Sequence, residues 1–397
     1  MMHSQTQEGS ARTDAAVEDE ILAQQGLGAD GFCGGHFPSD DSCGCGHDHA
    51  GHAHGDTCDC GHDHDHDHEH DESCPCCSSP TGEHPTADPE IYRDWDLYEG
   101  IGRMEFDFIW GDCTLHVRQW GDPEAQPIVL LHGFMQAGDT WDFFGPELGE
   151  DHCVLALDLL GHGLSSKPHD PALYTYDALA DSVASFLDRI ACVNPVTGAR
   201  RRAHVLGYSM GGRLALRLVE KNADLLYSVM LESCGLGPVD DAERAAAAER
   251  NEGWARRLRE DGMASFVEYW EGLPLFATQR ERGLDARLRE GRLANDAEAM
   301  ALVAEQAGKH AMPAEGEALG ALQATWLPVL YLCGEDDETS SRPASLMEQA
   351  GFEVSRAATG HNFHLEAPML YLRIVQDFLS GIEMRGQWLI NPDSVAE

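Results

Sequence analysis

The chain has 397 residues, of which 42% are hydrophobic, so it is long enough to bury a sizeable core. Its formal net charge of −42 disfavours nucleic acid and anionic membranes as partners, because an acidic surface repels phosphate groups. No uninterrupted apolar run reaches the roughly 18 residues of a transmembrane helix, and no secretory signal is recognisable. We therefore expect a cytoplasmic protein, whose oligomeric state the sequence leaves open.

Residues 1–90 form a low-complexity tail with 20 acidic residues and one basic residue. We expect this tail to be disordered without a ligand, because it cannot bury enough apolar area to offset its ordering entropy. A motif of two cysteines and two histidines occurs twice in it, and further histidines follow. The candidate metal ligands are Cys43, Cys45, His47, His49, Cys58, Cys60, His62, His64, His66, His68 and His70.

Thiolates and imidazoles suit zinc, nickel and copper, so the tail is predicted to bind Zn or Ni. The alternative is a solvated tail whose metal affinity has no biological role. The spacing of a conventional zinc finger is absent from it.

From about residue 104 short apolar segments alternate with helical patterns. An antiparallel hairpin is predicted from residues 104–110 and 113–120. Buried strands are predicted at 127–131, 153–158, 204–208, 227–232, 329–333 and 352–356, and helices at 176–191, 210–222, 343–350 and 368–379. This order predicts a doubly wound, mostly parallel α/β sheet, built from residues 91–237 and 326–397.

Residues 238–325, here called the helical insertion, interrupt that order with Ala-, Arg- and Glu-rich helical patterns. We expect the insertion to cap the carboxyl ends of the strands, where ligands bind in open α/β folds. Trp141, Trp254 and Phe276 are interpreted as core or cap packing.

A candidate nucleophile, Ser209, lies in the motif Gly207-Tyr208-Ser209-Met210-Gly211 between a predicted strand and a predicted helix. Flanking glycines in this setting allow the sharp turn that lifts a serine hydroxyl above the sheet edge. The residue after the nucleophile and one from the loop after strand 127–131 supply backbone N–H donors for a developing oxyanion. These residues are Met210 and Phe134.

The acid and the base are expected later in the chain. His361 follows a glycine after the last predicted strand and is the candidate base, whereas His132 and His364 are interpreted as structural. The acid follows strand 329–333, where the distance to be spanned favours Asp337 over Asp336. Its role is to fix the imidazole tautomer and stabilise the imidazolium.

With these motifs the chain resembles the α/β-hydrolase superfamily, and within it 2-succinyl-6-hydroxy-2,4-cyclohexadiene-1-carboxylate synthase of menaquinone biosynthesis. The resemblance covers residues 104–383. Its more specific features are Arg213 after the double glycine, the segment from Trp270 to Phe276, and Arg292.

The resemblance implies an α/β-hydrolase fold with a helical cap and a carbon–oxygen lyase that eliminates pyruvate from an enolpyruvyl cyclohexene substrate without a cofactor. It implies that Arg213 and Arg292 bind carboxylates of a small anionic substrate, while Tyr208 and Trp270 line the pocket. Ala247 stands where the family carries another arginine, and either Arg244 or Arg250 is a candidate substitute.

Two alternatives stay open. One is a hydrolase of esters or carbon–carbon bonds that uses Ser209 as nucleophile. The other is a metal-handling protein in which the hydrolase-like domain is secondary.

Overall fold

The computed structural model describes residues 92–98 and 103–390, so the predicted metal-binding tail at 1–90 lies outside the described residues. The strands in the described part form one sheet in the order β1-β2-β3-β5-β4-β6-β7-β8-β9. Their bounds are β1 Tyr92–Tyr98, β2 Arg103–Trp110, β3 Cys113–Trp120, β4 Pro127–Leu131, β5 Cys153–Leu157, β6 Ala203–Tyr208, β7 Leu226–Glu232, β8 Val329–Gly334 and β9 Glu353–Ala357.

The first three strands pair antiparallel, and β3 also pairs antiparallel with β5. The remaining strands pair parallel, in the sheet order β5-β4-β6-β7-β8-β9. The predicted hairpin is present, because Trp110 pairs with Cys113 around Gly111, which has φ +59°. The chain therefore has the mostly parallel sheet of an α/β-hydrolase fold.

The α-helices follow the strands in alternation, apart from a helical block between β7 and β8. Their bounds are α1 Phe144–Leu148, α2 Tyr176–Phe186, α3 Met210–Asn222, α4 Asp241–Glu260, α5 Gly262–Glu271, α6 Ala277–Glu281, α7 Asp285–Leu293, α8 Ala297–Ala307, α9 Glu315–Ala324, α10 Glu338–Gln349, α11 Phe363–Glu366 and α12 Pro368–Ile390. Helices α4 to α9 lie in the helical insertion.

Apolar side chains alternate between the two faces of the central strands. In β4, Val129 and Leu131 belong to a core with helices α2 and α3, whereas Ile128 and Leu130 belong to a core with α12. All four are fully buried. A strand covered on both faces in this way reads as a continuous apolar run, which is why these strands were predictable.

The structure differs from the sequence prediction at three elements. Strand β1 was not predicted, since three of its seven residues are charged. The helix predicted at 343–350 begins five residues earlier at Glu338, because the Asp337 side chain accepts a hydrogen bond from the Thr339 N–H and caps it. The last helix extends beyond residue 379 to Ile390.

Five cysteines of the described region are buried free thiols, at positions 113, 153, 192, 234 and 333. Burial raises the pKa of Cys153 and of Cys234 to about 12, which keeps both thiols protonated and unreactive. Within residues 92–98 and 103–390, no helix is both long and apolar enough to cross a membrane.

Candidate active site

Ser209 lies on a tight turn between β6 and α3, with φ +50° and ψ −105°. Its N–H donates to the Glu232 carbonyl at 2.8 Å, which ties the turn to β7. A Cβ on Gly207 would lie 2.4 Å from the backbone of Gly211, and one on Gly211 would lie 2.3 Å from the Leu131 carbonyl oxygen. The two glycines are therefore required for this turn.

The structure brings Ser209, His361 and Asp337 together at the carboxyl ends of three strands. His361 Nε2 lies 3.1 Å from Ser209 Oγ, and His361 Nδ1 lies 2.8 Å from Asp337 Oδ2. Asp337 and His361 are buried, while Ser209 is partly exposed towards a cavity. This arrangement allows a proton to move from the serine hydroxyl to an imidazole that a carboxylate holds in place.

Asp337 is held as a carboxylate by its neighbours. Burial alone would raise its pKa, but His361 and the hydroxyls of Ser340 and Thr339 stabilise the charged form and lower the pKa to about 2. The adjacent Asp336 is exposed to solvent, whereas Asp337 is the one of the two candidates that contacts His361.

The two histidines interpreted as structural hold buried loops. His364 Nδ1 lies 2.7 Å from Glu232 Oε1, and both side chains are fully buried. His132 Nε2 accepts a hydrogen bond from the Leu159 N–H at 2.9 Å, which joins the loops after β4 and β5. Burial lowers the pKa of His132, so its ring stays neutral and can accept that bond.

A cavity of about 200 Å³ opens beside Ser209 and His361, between the sheet edge and the helical insertion. Phe134 and Met210, the predicted oxyanion donors, line it together with Tyr208 and Trp270. Trp254 and Phe276 also reach the cavity while they pack against Trp270, with ring centres 5.1 and 5.4 Å from its own.

Four basic side chains line the cavity, and its lining includes no Asp or Glu among the described residues. They are Arg213, Arg250, Arg292 and Lys309. Arg292 and Lys309 are paired with carboxylates outside the lining, those of Glu271 and Glu243, so Arg213 and Arg250 supply the positive charge that no ion pair in the described part of this chain of net charge −42 neutralises. Such a cavity attracts an anion that the rest of the surface repels.

Arg213 and Arg292 differ in how far they are already paired. Arg292 is 2% exposed, and its Nη1 atom lies 3.2 Å from Glu271 Oε1. Arg213 donates to the Ala307 carbonyl at 3.3 Å and forms no ion pair within the described part of the chain. Burial lowers the pKa of Arg213, so an anion in the cavity would relieve an unfavourable desolvation of its charge.

The structure also separates the two candidates for the arginine absent at Ala247. Arg244 donates to the carbonyls of His310 and Met312 and so braces the turn before α9. Arg250 lines the cavity, with its guanidinium 5.6 Å from the Trp254 ring centre. Sequence reasoning missed Lys309, because it begins a single 3₁₀ turn that carries no motif.

The short helix α6 ties the helical insertion to the loop that carries His361. Thr278 Oγ1 donates to Glu366 Oε1 at 2.9 Å, and the Asn362 amide donates to Gln279 Oε1. Arg282 donates to the Ala358 and Glu366 carbonyls on the same loop. The insertion therefore makes a set of polar contacts with the loop that carries the candidate base.

Comparison with known proteins agrees with this fold. A family model described as "Alpha/beta hydrolase family" matches residues 128–373. Since this match spans more than half of the chain, the protein belongs to the alpha/beta hydrolase family.

Within that family the chain is similar to synthases of one kind. It is 29% identical over 268 residues to the putative 2-succinyl-6-hydroxy-2,4-cyclohexadiene-1-carboxylate synthase of Bacillus subtilis, covering 66% of this chain and 93% of that protein. It is 30% identical over 252 residues to the synthase of that name from Salmonella agona, covering 62% of this chain and 91% of the relative.

Solved structures show the same fold. MenH from S. aureus superposes with a TM-score of 0.61 at 26% identity, covering 68% of this chain and 98% of that one. An enol-lactonase from Burkholderia xenovorans LB400 gives 0.57 at 23% identity, covering 69% and 99%. At 23% identity, the similarity to the enol-lactonase supports only a shared fold.

Proposed function

We propose that this protein is a carbon–oxygen lyase of menaquinone biosynthesis. In the proposed reaction it eliminates pyruvate from 2-succinyl-5-enolpyruvyl-6-hydroxy-3-cyclohexene-1-carboxylate and needs no cofactor. The observation that carries the proposal is the joint presence of a Ser209–His361–Asp337 hydrogen-bonded chain and a cavity whose charged lining is wholly basic. The names of the relatives support this particular substrate.

The charge of the substrate fits the cavity. Its succinyl, enolpyruvyl and ring carboxylates carry three negative charges near neutral pH. Arginine binds a carboxylate with two parallel hydrogen bonds, so Arg213 and Arg250 are the favoured partners, being free of the ion pair that Arg292 makes with Glu271. Trp270 and Tyr208 supply apolar walls for the ring.

The proposed step is a proton abstraction followed by loss of the enolpyruvyl group. His361 Nε2 takes the hydroxyl proton of Ser209, and Ser209 Oγ removes the proton from ring carbon 2, next to the succinyl carbonyl. The released electron pair forms the bond between carbons 2 and 3, the ring double bond shifts to carbons 4 and 5, and the bond from carbon 5 to oxygen breaks. His361 passes the proton to the departing enolpyruvate, which becomes pyruvate.

Negative charge develops on the succinyl oxygen during this step. In the proposal the backbone N–H groups of Phe134 and Met210 stabilise it, because preset donors need no reorganisation when charge appears. Tyr208 stays a neutral phenol, since burial raises its pKa well above the usual value.

The test is release of pyruvate from the synthetic substrate by the purified full-length chain, measured by coupled oxidation of NADH. Ser209→Ala should abolish most of the release. Ser233→Ala is the matched control, because Ser233 lines the same cavity but makes no hydrogen bond to the triad. Absence of pyruvate above the uncatalysed rate would show the proposal to be wrong.

A second candidate is hydrolysis of esters or carbon–carbon bonds. The 3.1 Å contact between Ser209 Oγ and His361 Nε2 equally suits nucleophilic attack and an acyl-enzyme. Turnover of p-nitrophenyl esters with a burst of product, lost in Ser209→Ala and without pyruvate release from the enolpyruvyl substrate, would favour this candidate.

A further inference from the structure

A second cluster of ionisable side chains lies at the end of the strands opposite to Ser209. His204 is the second residue of β6, whereas Ser209 follows the last residue of that strand. His152 directly precedes β5, and Glu383 lies on α12. None of these three residues lines the active-site cavity.

The distances within this cluster suit a small metal ion. Glu383 Oε1 lies 2.9 Å from His152 Nε2 and 3.6 Å from His204 Nε2. One ligand atom from each of the three residues lies within 4.8 Å of the others. Tetrahedral zinc with bonds of about 2.0–2.1 Å places its ligands roughly 3.3 Å apart, and the two measured distances bracket that value.

His204 provides an independent indication of a ligand. Its side chain is fully buried, and its Nε2 atom makes no hydrogen bond within 3.5 Å to a described residue, with Glu383 Oε1 just beyond that distance at 3.6 Å. The other ring nitrogen, Nδ1, lies 2.7 Å from Ser228 Oγ, which fixes the ring with Nε2 towards Glu383. Metal-binding histidines are oriented in this way by a partner on the second nitrogen. A buried polar atom without a hydrogen bond of normal length is costly, and coordination of a cation between His204 and Glu383 removes that cost.

We propose that His152, His204 and Glu383 bind a Zn²⁺ ion. Two neutral imidazoles and one carboxylate are a common zinc ligand set, and a water molecule completes the fourth position. The Glu383 side chain is 34% exposed, so the ion and the water reach the site from solvent. The ion joins the last helix to β6 and to the residue that precedes β5, and so stabilises the folded domain.

The experiment is a thermal unfolding series of the full-length chain with ZnCl₂. The tail also contains cysteines and histidines, so the readout is the unfolding temperature of the domain rather than total metal binding. At a zinc concentration about 100 times the dissociation constant, we expect a rise of roughly 5 °C. Glu383→Gln and His204→Asn should each remove most of that rise.

The matched control is His116→Asn. His116 also pairs with a carboxylate, with Nδ1 3.0 Å from Asp107 Oδ1, but it lies outside the proposed site. This variant should keep the full zinc-dependent rise. If His204→Asn does not fold, Glu383→Gln carries the test, because Glu383 is a partly exposed residue near the end of α12.

Zinc content after equilibrium dialysis gives a second readout. The tail contributes equally to wild type and variant, so Glu383→Gln should retain about one zinc ion fewer per chain. The proposal is overturned if zinc does not raise the unfolding temperature of the wild type, or if Glu383→Gln shows the same rise and the same zinc content.

Discussion

Two histidines three residues apart, His361 and His364, make similar bonds in different regions. Each has Nδ1 within 2.8 Å of a carboxylate oxygen, from Asp337 and Glu232 respectively. The second nitrogen of His361 meets the Ser209 hydroxyl beside the cavity. That of His364 lies 3.3 Å from a threonine hydroxyl in a fully buried region.

The difference shows that a histidine–carboxylate pair does not by itself define a catalytic group. In the cavity region the pair adjoins a hydroxyl that a substrate can reach, so it can move a proton. In the buried region His364 stacks near Trp141, with ring centres 4.8 Å apart, and holds β7 to the loop of the base. The predictions below test this contrast, from the largest expected effect to the smallest.

Loss of the hydroxyl should be the largest effect on the cavity region. Ser209→Ala should lower kcat for pyruvate release by roughly 10³–10⁴-fold, because the group that takes the proton is removed while the fold is retained. Steady-state kinetics measure the loss of kcat, and circular dichroism checks that the fold is retained. A residual rate within tenfold of wild type would contradict the role of Ser209.

Removing each histidine should separate the two regions. His364→Ala removes the imidazole partner of the fully buried Glu232, which keeps the backbone N–H of residue 364, and should cost about 3 kcal/mol in the free energy of unfolding. His361→Ala should cost less stability, since Asp337 keeps its bonds from Thr339 and Ser340, but should abolish turnover. Urea unfolding measures the stability of the two variants, and the pyruvate assay measures their turnover. Equal stability losses would remove the contrast.

An arginine of the cavity should be distinguishable from one on the outside of the same helix. Arg213→Met should lower kcat/KM by about 10–100-fold, because a charge-assisted bond to a substrate carboxylate is lost. The control is Arg217→Met, four residues later, since Arg217 pairs with Asp177 and Glu220 instead. Similar kcat/KM values for the two variants would speak against substrate binding by Arg213.

The smallest effect concerns pH. Folding lowers the pKa of Asp337 from its ordinary 3.8 to about 2, so its charge stabilises the fold above pH 4 and this stability is lost as pH falls towards 2. The stability difference between wild type and Asp337→Asn should shrink by about 1.5 kcal/mol from pH 5 to pH 2.5. Urea unfolding at both pH values checks this, and an unchanged difference would contradict the low pKa.

The parts of this protein that local sequence determines were predictable. The buried strands carry continuous apolar runs, and the turn at Ser209 has its two obligatory glycines. The structure also places His361 and Asp337 where the expected chain order puts a base and an acid. By contrast, β1 was not predictable from its charged composition, because its strand conformation depends on antiparallel pairing with β2.

What depends on packing between distant segments was not predictable. The choice of Arg250 over Arg244 rests on which one reaches the carbonyls of His310 and Met312, and no motif encodes that. The meeting of His204 with Glu383 is likewise hidden, because 179 positions (383 minus 204) separate them in sequence.

The contacts of α6 have a consequence for how this enzyme scaffold tolerates redesign. Thr278 and Gln279 hold the loop that follows His361 through Glu366 and Asn362, so the roof of the cavity and the loop that carries this imidazole are joined on that side. Exchanging the roof for that of a relative while discarding this short helix would leave the imidazole without its outer support. A chimaera that keeps α6 and replaces only the segments around it should keep the loop that carries His361 in its position.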